Sequence, residues 1–350
     1  MNKRSGNFDL MRLVASFMVL WSHQFALTGF PEQAIPWAAT WGGFGVLIFF
    51  AISGYLNAQS LFRSQSVAVF LTSRAFRIFP ALVVCVAFCI VLGACVTTRE
   101  WPAYLLPEGG LFARNAPLSF LWRNSTLLFG LDYELPGVFD ANIYPRAVNG
   151  SLWTLPHEVK LYLAMAIIAV CCRFKPMVFA VVMIAGVAAL MLFGLARPLA
   201  PLLDGKYLAT FAVIFASGAG LALLERRIGL VPALATMALL LLGFAIGDSG
   251  SAGFLVAVVI GCVVLNRVPL PSWLMPRADI SYGVYLYAFP VQQLVSNWSG
   301  SFWIRLGMVV VIVTILAILS ARYVEQPALR LRKRLGRSDN SGLPSRGPAH

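Results

Sequence analysis

The stretch "RLVASFMVLWSH", residues 12–23, begins with an arginine, continues as a strongly apolar run and ends with a histidine. A segment that crosses a bilayer loses insertion free energy for each ionisable group it carries, so both residues are functional candidates. In an α-helix, eleven residues at about 100° each bring the side chain of His23 to within about 20° of the face of Arg12, about 16 Å further along the axis. His23 is therefore either a satisfied core histidine or part of a site that also contains Arg12.

The composition of the chain predicts an all-α integral membrane protein. Of its 350 residues, 59% are hydrophobic and 12% are charged, whereas soluble domains are about 45–50% apolar and about 25% charged. A transmembrane helix needs roughly 20 apolar residues. Windows of that length predict about ten transmembrane helices, at residues 8–29, 42–60, 78–97, 152–172, 177–196, 207–224, 229–247, 251–266, 279–297 and 302–322.

The distribution of Lys and Arg predicts that both termini are cytoplasmic, because short cytoplasmic loops are enriched in these residues. With the N-terminus inside, nineteen of the 27 Lys and Arg residues lie on the inner side and seven on the outer side, while Lys160 falls within a span. The net charge of +13 comes mostly from this inner collar. It therefore gives no indication of nucleic-acid binding.

The chain is predicted to form one transmembrane domain, residues 1–330, followed by a basic, largely disordered cytoplasmic tail, residues 331–350. A long extracytoplasmic loop, residues 98–150, lies within the domain, and loops of this length are usually functional. The basic, amphipathic start of the tail suits the anionic lipids of the inner leaflet. The six cysteines lie in apolar segments without metal-ligand spacing, so we interpret them as packing residues and predict no metal site.

The sequence "RAFR", residues 74–77, places Arg74 and Arg77 on one helical face at the inner boundary of the third span. Residues three apart in a helix are neighbours. The pair is either part of the positive collar or an anion clamp, since guanidinium groups bind phosphate in a bidentate manner. Arg12 is expected at the same depth.

The sequence "NGSLWTLPHEVKLY", residues 149–162, brings His157, Glu158 and Lys160 together into the apolar region, with Tyr162 one turn beyond Glu158. Three ionisable groups are a heavy load for a lipid-facing helix. A local ion pair between Glu158 and Lys160 is one alternative, but side chains two apart do not face each other. We expect these residues to line a water-filled cavity in the outer half, level with His23.

The second span, "GGFGVLIFFAISGYL", residues 42–56, is interrupted by Ser53 and Gly54. Small residues allow either a neighbouring helix or a ligand to approach closely. The pattern alone leaves both roles open.

Six motifs occur together: the Arg-x10-His of residues 12–23, "ISGYL" (52–56), "FLTSRAFRIFPAL" (70–82), "NGSLWTLPHEVKLY" (149–162), "ISYGVYLYAFPV" (280–291) and "YVEQPAL" (323–329). In this order they resemble the acyltransferase-3 family of integral-membrane O-acyltransferases, whose members acetylate polysaccharides, Nod factors and O-antigens. The resemblance covers most of residues 8–330. It implies transfer of an acyl group, most often acetyl, from cytoplasmic acyl-CoA to a hydroxyl of a surface glycan or lipid-linked saccharide. It also implies a multi-pass protein of the bacterial inner (plasma) membrane.

Position by position, the resemblance implies functional roles for these residues: Arg12, His23, Ser53, Gly54, Tyr55, Arg74, Arg77, Glu158, Glu325 and Pro327. One departure is Ala288, where many relatives have a histidine; either that histidine is dispensable or His157 partly replaces it. Many relatives also carry a fused extracytoplasmic hydrolase-like domain. Since this chain has only a short tail, we expect it to complete the transfer alone or to pass the acyl group to a partner protein.

These residues permit a mechanism with acetyl-CoA as co-substrate. Arg12, Arg74 and Arg77 would bind its phosphates, and the pantetheine arm would reach toward His23. His23 would act as general base on the acceptor hydroxyl, or as a transient acyl carrier, with Glu158 orienting its imidazole. Weaker candidates for contacts with the acceptor or the oxyanion are Ser53, Tyr55, His157, Lys160 and Tyr162, while acceptor choice is expected from loop 98–150.

A transporter or flippase for a glycan or small metabolite is the alternative function. It would also explain ionisable groups within the membrane, but it predicts inverted repeats, and the sequence shows no such symmetry. A structural or sensory membrane protein would not account for the grouped charges.

Overall fold

The computed structural model describes residues 7–35, 40–192, 206–246, 250–276 and 278–341, and these residues form helices and loops without β-strands. A 3₁₀ turn, Gly150–Thr154, precedes α6, another lies at Ser272–Leu274, and a π-helical turn, Ala321–Glu325, joins α12 to α13. The helices are α1 (Phe8–Thr28), α2 (Trp41–Ser64), α3 (Val67–Val96), α4 (Trp101–Leu105), α5 (Pro117–Thr126), α6 (Leu155–Cys171), α7 (Pro176–Leu192), α8 (Lys206–Ile228), α9 (Leu230–Ile246), α10 (Gly250–Leu265), α11 (Ser281–Val295), α12 (Phe302–Ser320) and α13 (Gln326–Ser341).

The predicted all-α membrane class is confirmed, but the count of ten spans is not. Six helices of the described residues are long and apolar enough to cross a membrane: α1, α2, α3, α6 with its preceding 3₁₀ turn, α8, and α12 continued by α13. Each remaining predicted window also contains a helix, but α7, α9, α10 and α11 have 15 to 17 residues. Such helices are only about 22–26 Å long, against a hydrocarbon core of about 30 Å. Part of the fifth predicted window, beyond residue 192, lies outside the described residues.

Helix α2 lies at the centre of the molecule, packed against α1 on one side and α8 on the other. Both contacts depend on glycine. A Cβ atom added at Gly45 would lie 2.6 Å from the carbonyl oxygen of Ala15 in α1, and one added at Gly54 would lie 2.1 Å from the carbonyl oxygen of Phe215 in α8. Small residues at such crossings allow two helix backbones to approach closely. The close approach holds α1 and α8 around the face of α2 that carries Ser53.

Helices α3 and α11 form the other wall of the interior. The Tyr282 hydroxyl donates a hydrogen bond to the Ile78 carbonyl oxygen at 3.0 Å. The Cys85 thiol contacts the Leu286 carbonyl oxygen at 3.3 Å, and the Asn149 side-chain amide donates to the same oxygen at 3.0 Å. All six cysteines are free thiols. Four of them, Cys85, Cys89, Cys172 and Cys262, are buried, as expected of packing residues, whereas Cys95 and Cys171 are exposed.

Residues 97–149, which we call the outer segment after their predicted position, are held in place by a buried carboxylate. Asp132 exchanges hydrogen bonds with the side chain of Asn124, and it accepts one from the Ser119 hydroxyl at 2.6 Å. The guanidinium groups of Arg114 and Arg123 lie 3.4 and 3.9 Å from this carboxylate. A buried carboxylate is stable only when it is paired and hydrogen-bonded. These contacts fix α5 against the following loop.

Helix α13 continues to Ser341, into the segment for which the sequence predicted a largely disordered tail. It packs against α3, while Arg330, Lys333 and Arg334 and the side chains of Leu331 and Leu335 are exposed. Contact with α3 and direct continuation from α12 stabilise a helix that its polar composition alone would not. Residues 342–350 of the predicted tail lie outside the described residues.

Candidate active site

A cavity of about 110 Å³ lies between α1, α2, α3, α6 and α11. We call it the arginine cavity, because three guanidinium groups face it. The rest of its wall is mainly aromatic and aliphatic and includes Phe49 and Tyr285. Six residues selected from the sequence line it: Arg12, Ser53, Arg74, Arg77, Glu158 and Tyr162.

Two of the arginines share a carboxylate that the sequence analysis did not select. Asp279, in the loop before α11, pairs with Arg77 and lies 3.9 Å from Arg12. Burial by itself raises the pKa of the Asp279 carboxyl group, but the charges of Arg77 and Arg12 outweigh this effect and hold the pKa below its ordinary value. The only signal in the sequence is the position of Asp279 two residues before Ser281, at the start of "SYGVYLYAFPV".

Arg77 is paired on a second side as well. Its guanidinium lies 3.4 Å from the carboxylate of Glu325, which is 3% exposed and sits in the π-helical turn. Arg74 differs, since it has no ion pair within 4 Å among the described residues and lies with its guanidinium 5.8 Å from the ring of Phe70. Arg74 is therefore the cavity arginine best placed to take a new anionic partner.

Glu158 belongs to a hydrogen-bonded group that joins α6 to α2. Its carboxylate accepts hydrogen bonds from the Ser53 hydroxyl, at 3.1 Å, and from the Tyr162 hydroxyl. The Asn57 side-chain amide in turn donates to the Ser53 oxygen at 2.8 Å. The group fixes one carboxylate and two hydroxyls in the wall of the arginine cavity, opposite the guanidinium groups.

The "ISGYL" motif of α2 serves three separate purposes. Ser53 lines the arginine cavity, and Gly54 contacts the α8 backbone. Tyr55 points elsewhere, because its hydroxyl donates to the carboxylate of Glu225 at 2.5 Å and that carboxylate pairs with Arg267. Tyr55 does not line the arginine cavity but connects α2 to α8, and its predicted contact with the acceptor stays a prediction.

His23 does not line the arginine cavity. Its Nδ1 atom is buried and has no hydrogen-bond partner among the described residues, and its ring packs edge-on against Phe289, with ring centroids 5.2 Å apart. In α11, Phe289 follows one turn after Tyr285, which lines the cavity and whose ring lies 5.9 Å from that of Phe49. Among the described residues, the cavity that contains Arg12 thus does not extend to His23.

Glu158 also lies in a different place from the one predicted, since it contacts Ser53 and Tyr162 rather than the imidazole of His23. The reason is the position at which the chain enters the protein interior before α6. Ser151 and Leu152 are already buried, so α6 starts inside the protein and Glu158 reaches the middle of α2. The predicted orientation of His23 by Glu158 is corrected accordingly.

Two further weak candidates lie outside the cavity wall. His157 packs against Trp153 and Phe211, with ring centroids 5.9 and 5.7 Å apart, and Lys160 is exposed. Ala288 belongs to a buried apolar cluster with Leu20. His157 therefore does not occupy the place of the histidine that many relatives have at position 288.

Comparison with known proteins identifies the family. A family model described as an acyltransferase domain matches residues 5–322. The chain belongs to the acyltransferase-3 family. It is 31% identical to an O-acetyl transferase of Shigella phage Sf6, over 84% of this chain and 86% of that protein. It is also 31% identical to Nodulation protein 10 of Rhizobium leguminosarum bv. viciae, over 94% of each chain. No solved structure matches the chain.

Proposed function

We propose that this membrane acyltransferase moves an acetyl group from cytoplasmic acetyl-CoA to a hydroxyl of a surface glycan or lipid-linked saccharide, in the bacterial inner membrane. The observation that carries the proposal is the arginine cavity, which combines Arg12, Arg74 and Arg77 with the carboxylate of Glu158 inside an apolar bundle. Ionisable groups within an apolar bundle are energetically costly and mark a functional site by default. The name of the relative from Shigella phage Sf6, an O-acetyl transferase, supports acetyl as the acyl group and a hydroxyl as its acceptor.

The arginines would hold the phosphates of the donor. Guanidinium groups bind phosphate through charge-assisted, bidentate hydrogen bonds. Arg74 provides the first contact because it has no carboxylate partner within the described ranges, and Arg12 and Arg77 follow on the same side of the cavity. With the termini cytoplasmic, this end of the protein faces the cytoplasmic pool of acetyl-CoA.

The pantetheine arm would extend past Ser53 and Glu158 toward His23. Both Arg12 and His23 belong to α1, so the regular helix separates them by about 16 Å. Within the described residues the cavity does not extend to His23, so the proposal requires the rings of Tyr285 and Phe289 to move when the donor is bound. The buried Nδ1 atom of His23, which has no hydrogen-bond partner in the described part of the chain, then accepts the proton.

The chemistry at His23 follows one of two balanced routes. As general base, the imidazole takes the proton of the acceptor hydroxyl while the hydroxyl oxygen attacks the thioester carbonyl; the C–S bond breaks, and the proton ends on the CoA thiol. Alternatively, the imidazole attacks the thioester carbonyl first, the C–S bond breaks, and the imidazole proton ends on the CoA thiol. The acceptor hydroxyl then attacks the acyl group, the C–N bond breaks, and the released imidazole takes the hydroxyl proton. Both routes give an ester and free CoA.

The acceptor would approach beneath the outer segment. Tyr144 of this segment lies with its ring 6.1 Å from that of Phe289, the neighbour of His23. Its side chain is also 47% exposed. An exposed aromatic ring beside the reacting group suits the apolar face of a sugar ring, so we place the acceptor site at Tyr144.

The decisive experiment reconstitutes the full-length protein with isotope-labelled acetyl-CoA and glycan from cells that lack the gene. We expect an ester-linked acetyl mass on the glycan, measured by mass spectrometry, and its loss when Arg74 is replaced by Gln. Arg63→Gln is the matched control, because Arg63 is exposed at the end of α2 and does not line the cavity. Movement of the saccharide across the membrane without ester formation would instead support the transporter function.

A further inference from the structure

Asp279 divides its two carboxylate oxygens between two tasks. Oδ1 accepts hydrogen bonds from the backbone amide of Ser281, at 3.1 Å, and from the Ser281 hydroxyl, at 2.5 Å. Oδ2 forms the ion pair with Arg77 and lies 3.9 Å from Nη1 of Arg12. One oxygen therefore fixes the start of α11, while the other neutralises two of the cavity arginines.

The second carboxylate on Arg77 has a different character. Glu325 is 3% exposed and is held by the Ser320 hydroxyl at 3.2 Å as well as by Arg77. Asp279 is 18% exposed. Removing a buried partner leaves an uncompensated charge and is strongly unfavourable. Glu325 is thus a permanent partner of Arg77. Solvent reaches Asp279, so its ion pairs can be exchanged for contacts with another anion.

We infer that Oδ2 of Asp279 contacts Arg12 and Arg77 at the position where a phosphate oxygen of the donor binds. Donor binding then displaces Oδ2 from the two arginines. The identity of the donor rests on the proposed function. The preference of the site for a phosphate group follows from the guanidinium cluster itself. Asp279 acts as a positioning residue: it keeps the arginines oriented while the site is empty, and it competes with the incoming phosphate.

This arrangement weakens donor binding for a physical reason. A phosphate gains its contacts with Arg12 and Arg77 only after the contacts of Asp279 are lost, so part of the binding free energy is spent on the exchange. Oδ1 remains bonded to Ser281, so α11 keeps its starting point during the exchange. The position of Tyr285, on the next turns of α11, is thereby preserved for the reaction.

The test uses variants that separate the two tasks. Asp279→Asn removes the charge but retains a carbonyl oxygen that can accept the hydrogen bonds of Ser281. Asp279→Glu retains the charge. Asp9→Asn is the matched control, because it also removes one carboxylate charge. Asp9 lies in the first turn of α1, the helix of Arg12, but forms no ion pair among the described residues. Binding of coenzyme A and of pyrophosphate to the full-length protein is measured by titration calorimetry at several salt concentrations.

We expect Asp279→Asn to bind both probes on the order of tenfold more tightly than the wild type, the size of one charge-assisted hydrogen bond. Asp279→Glu and Asp9→Asn are expected to show no such gain. Structural damage would weaken binding, so a gain in affinity separates displacement from a purely structural role. If Asp279→Asn binds pyrophosphate with unchanged or lower affinity, or if Asp279→Glu shows the same gain, the inference is wrong. A gain for pyrophosphate without any binding of coenzyme A would support the inference and refute acyl-CoA as the donor.

Discussion

His23 packs edge-on against Phe289, with ring centroids 5.2 Å apart. Phe289 lies one turn beyond Tyr285, a wall residue of the arginine cavity, so the same helix contributes one side chain to the cavity and one to the surroundings of His23. The Phe289 ring also lies against Gly150, where an added Cβ atom would lie 2.6 Å from Cε2 of Phe289. The ring can therefore take this position only because residue 150 has no side chain.

Replacing Gly150 by Ala is the first test of this relationship. The new methyl group would push the Phe289 ring toward His23 and obstruct the route of the acyl group. We expect the rate of acetyl transfer to fall at least about tenfold, the effect of misplacing a reacting group slightly, while binding of acetyl-CoA at the arginines stays unchanged. Transfer is measured as ester formation and binding by calorimetry on the same preparation.

Gly307→Ala is the control for this variant, because nothing lies within 4 Å of a Cβ atom added at Gly307 in α12. Its transfer rate should equal that of the wild type. A Gly150→Ala protein that transfers acetyl normally would show that the Phe289 ring does not control the route.

The second prediction concerns His23 itself. His23→Ala should reduce acetyl transfer about 10²- to 10⁴-fold, the usual contribution of a general base, without changing the affinity for coenzyme A. If the acyl-histidine route operates, incubation of the wild type with acetyl-CoA and no acceptor should add an acetyl mass to the peptide that contains His23. Normal transfer by the Ala variant would exclude both routes.

The third prediction addresses Arg74. Because this guanidinium has no ion pair within 4 Å among the described residues, its replacement disturbs few internal contacts. Arg74→Gln should weaken coenzyme A binding about tenfold or more, the range for a hydrogen bond to a charged group, and should make the affinity less dependent on salt. The measurement is calorimetric titration at low and high salt.

Arg63→Gln again provides the matched control, since it removes one positive charge at an exposed position. Equal losses of affinity in the two variants would indicate a general effect of net charge. The arginine cavity would then not be the phosphate site.

Much of this site could be predicted from the sequence, because its residues are ionisable groups within apolar helices. Arg12, Arg74 and Arg77 were selected for that reason, and the structure places all three on one cavity. Periodicity also put His23 on the helical face of Arg12, but it carries no information on what stands between two residues of one face. The Phe289 ring comes from α11, which is distant in the sequence.

Asp279 and Glu158 show two further features of the site that the sequence could not predict. Asp279 lies at the end of a predicted span, where a charged residue is unremarkable, and its partners belong to α1 and α3. The depth of Glu158 depends on where the chain enters the protein after the outer segment, which is a tertiary property. The short α7, α9, α10 and α11 illustrate the same point, since apolar windows indicate where a helix forms and not how far it extends.

The motif around Gly54 provides the last prediction, because its role was open in the sequence and is defined by packing in the structure. A Cβ atom at Gly54 would lie 2.1 Å from the carbonyl oxygen and 2.8 Å from the carbonyl carbon of Phe215. Both atoms belong to the backbone of α8, so they cannot move aside as a flexible side chain would. Gly54→Ala should therefore force α2 and α8 apart.

Overpacking of this kind typically costs about 1–3 kcal/mol. We expect a lower unfolding temperature for Gly54→Ala in detergent, together with reduced transfer, because Ser53 moves with the backbone. Gly307→Ala should be as stable as the wild type or more stable by up to about 1 kcal/mol, the gain for Ala over Gly within a helix. If Gly54→Ala unfolds at the wild-type temperature yet loses coenzyme A binding, Gly54 faces the donor, and the close contact with α8 does not explain why a glycine is needed at this position.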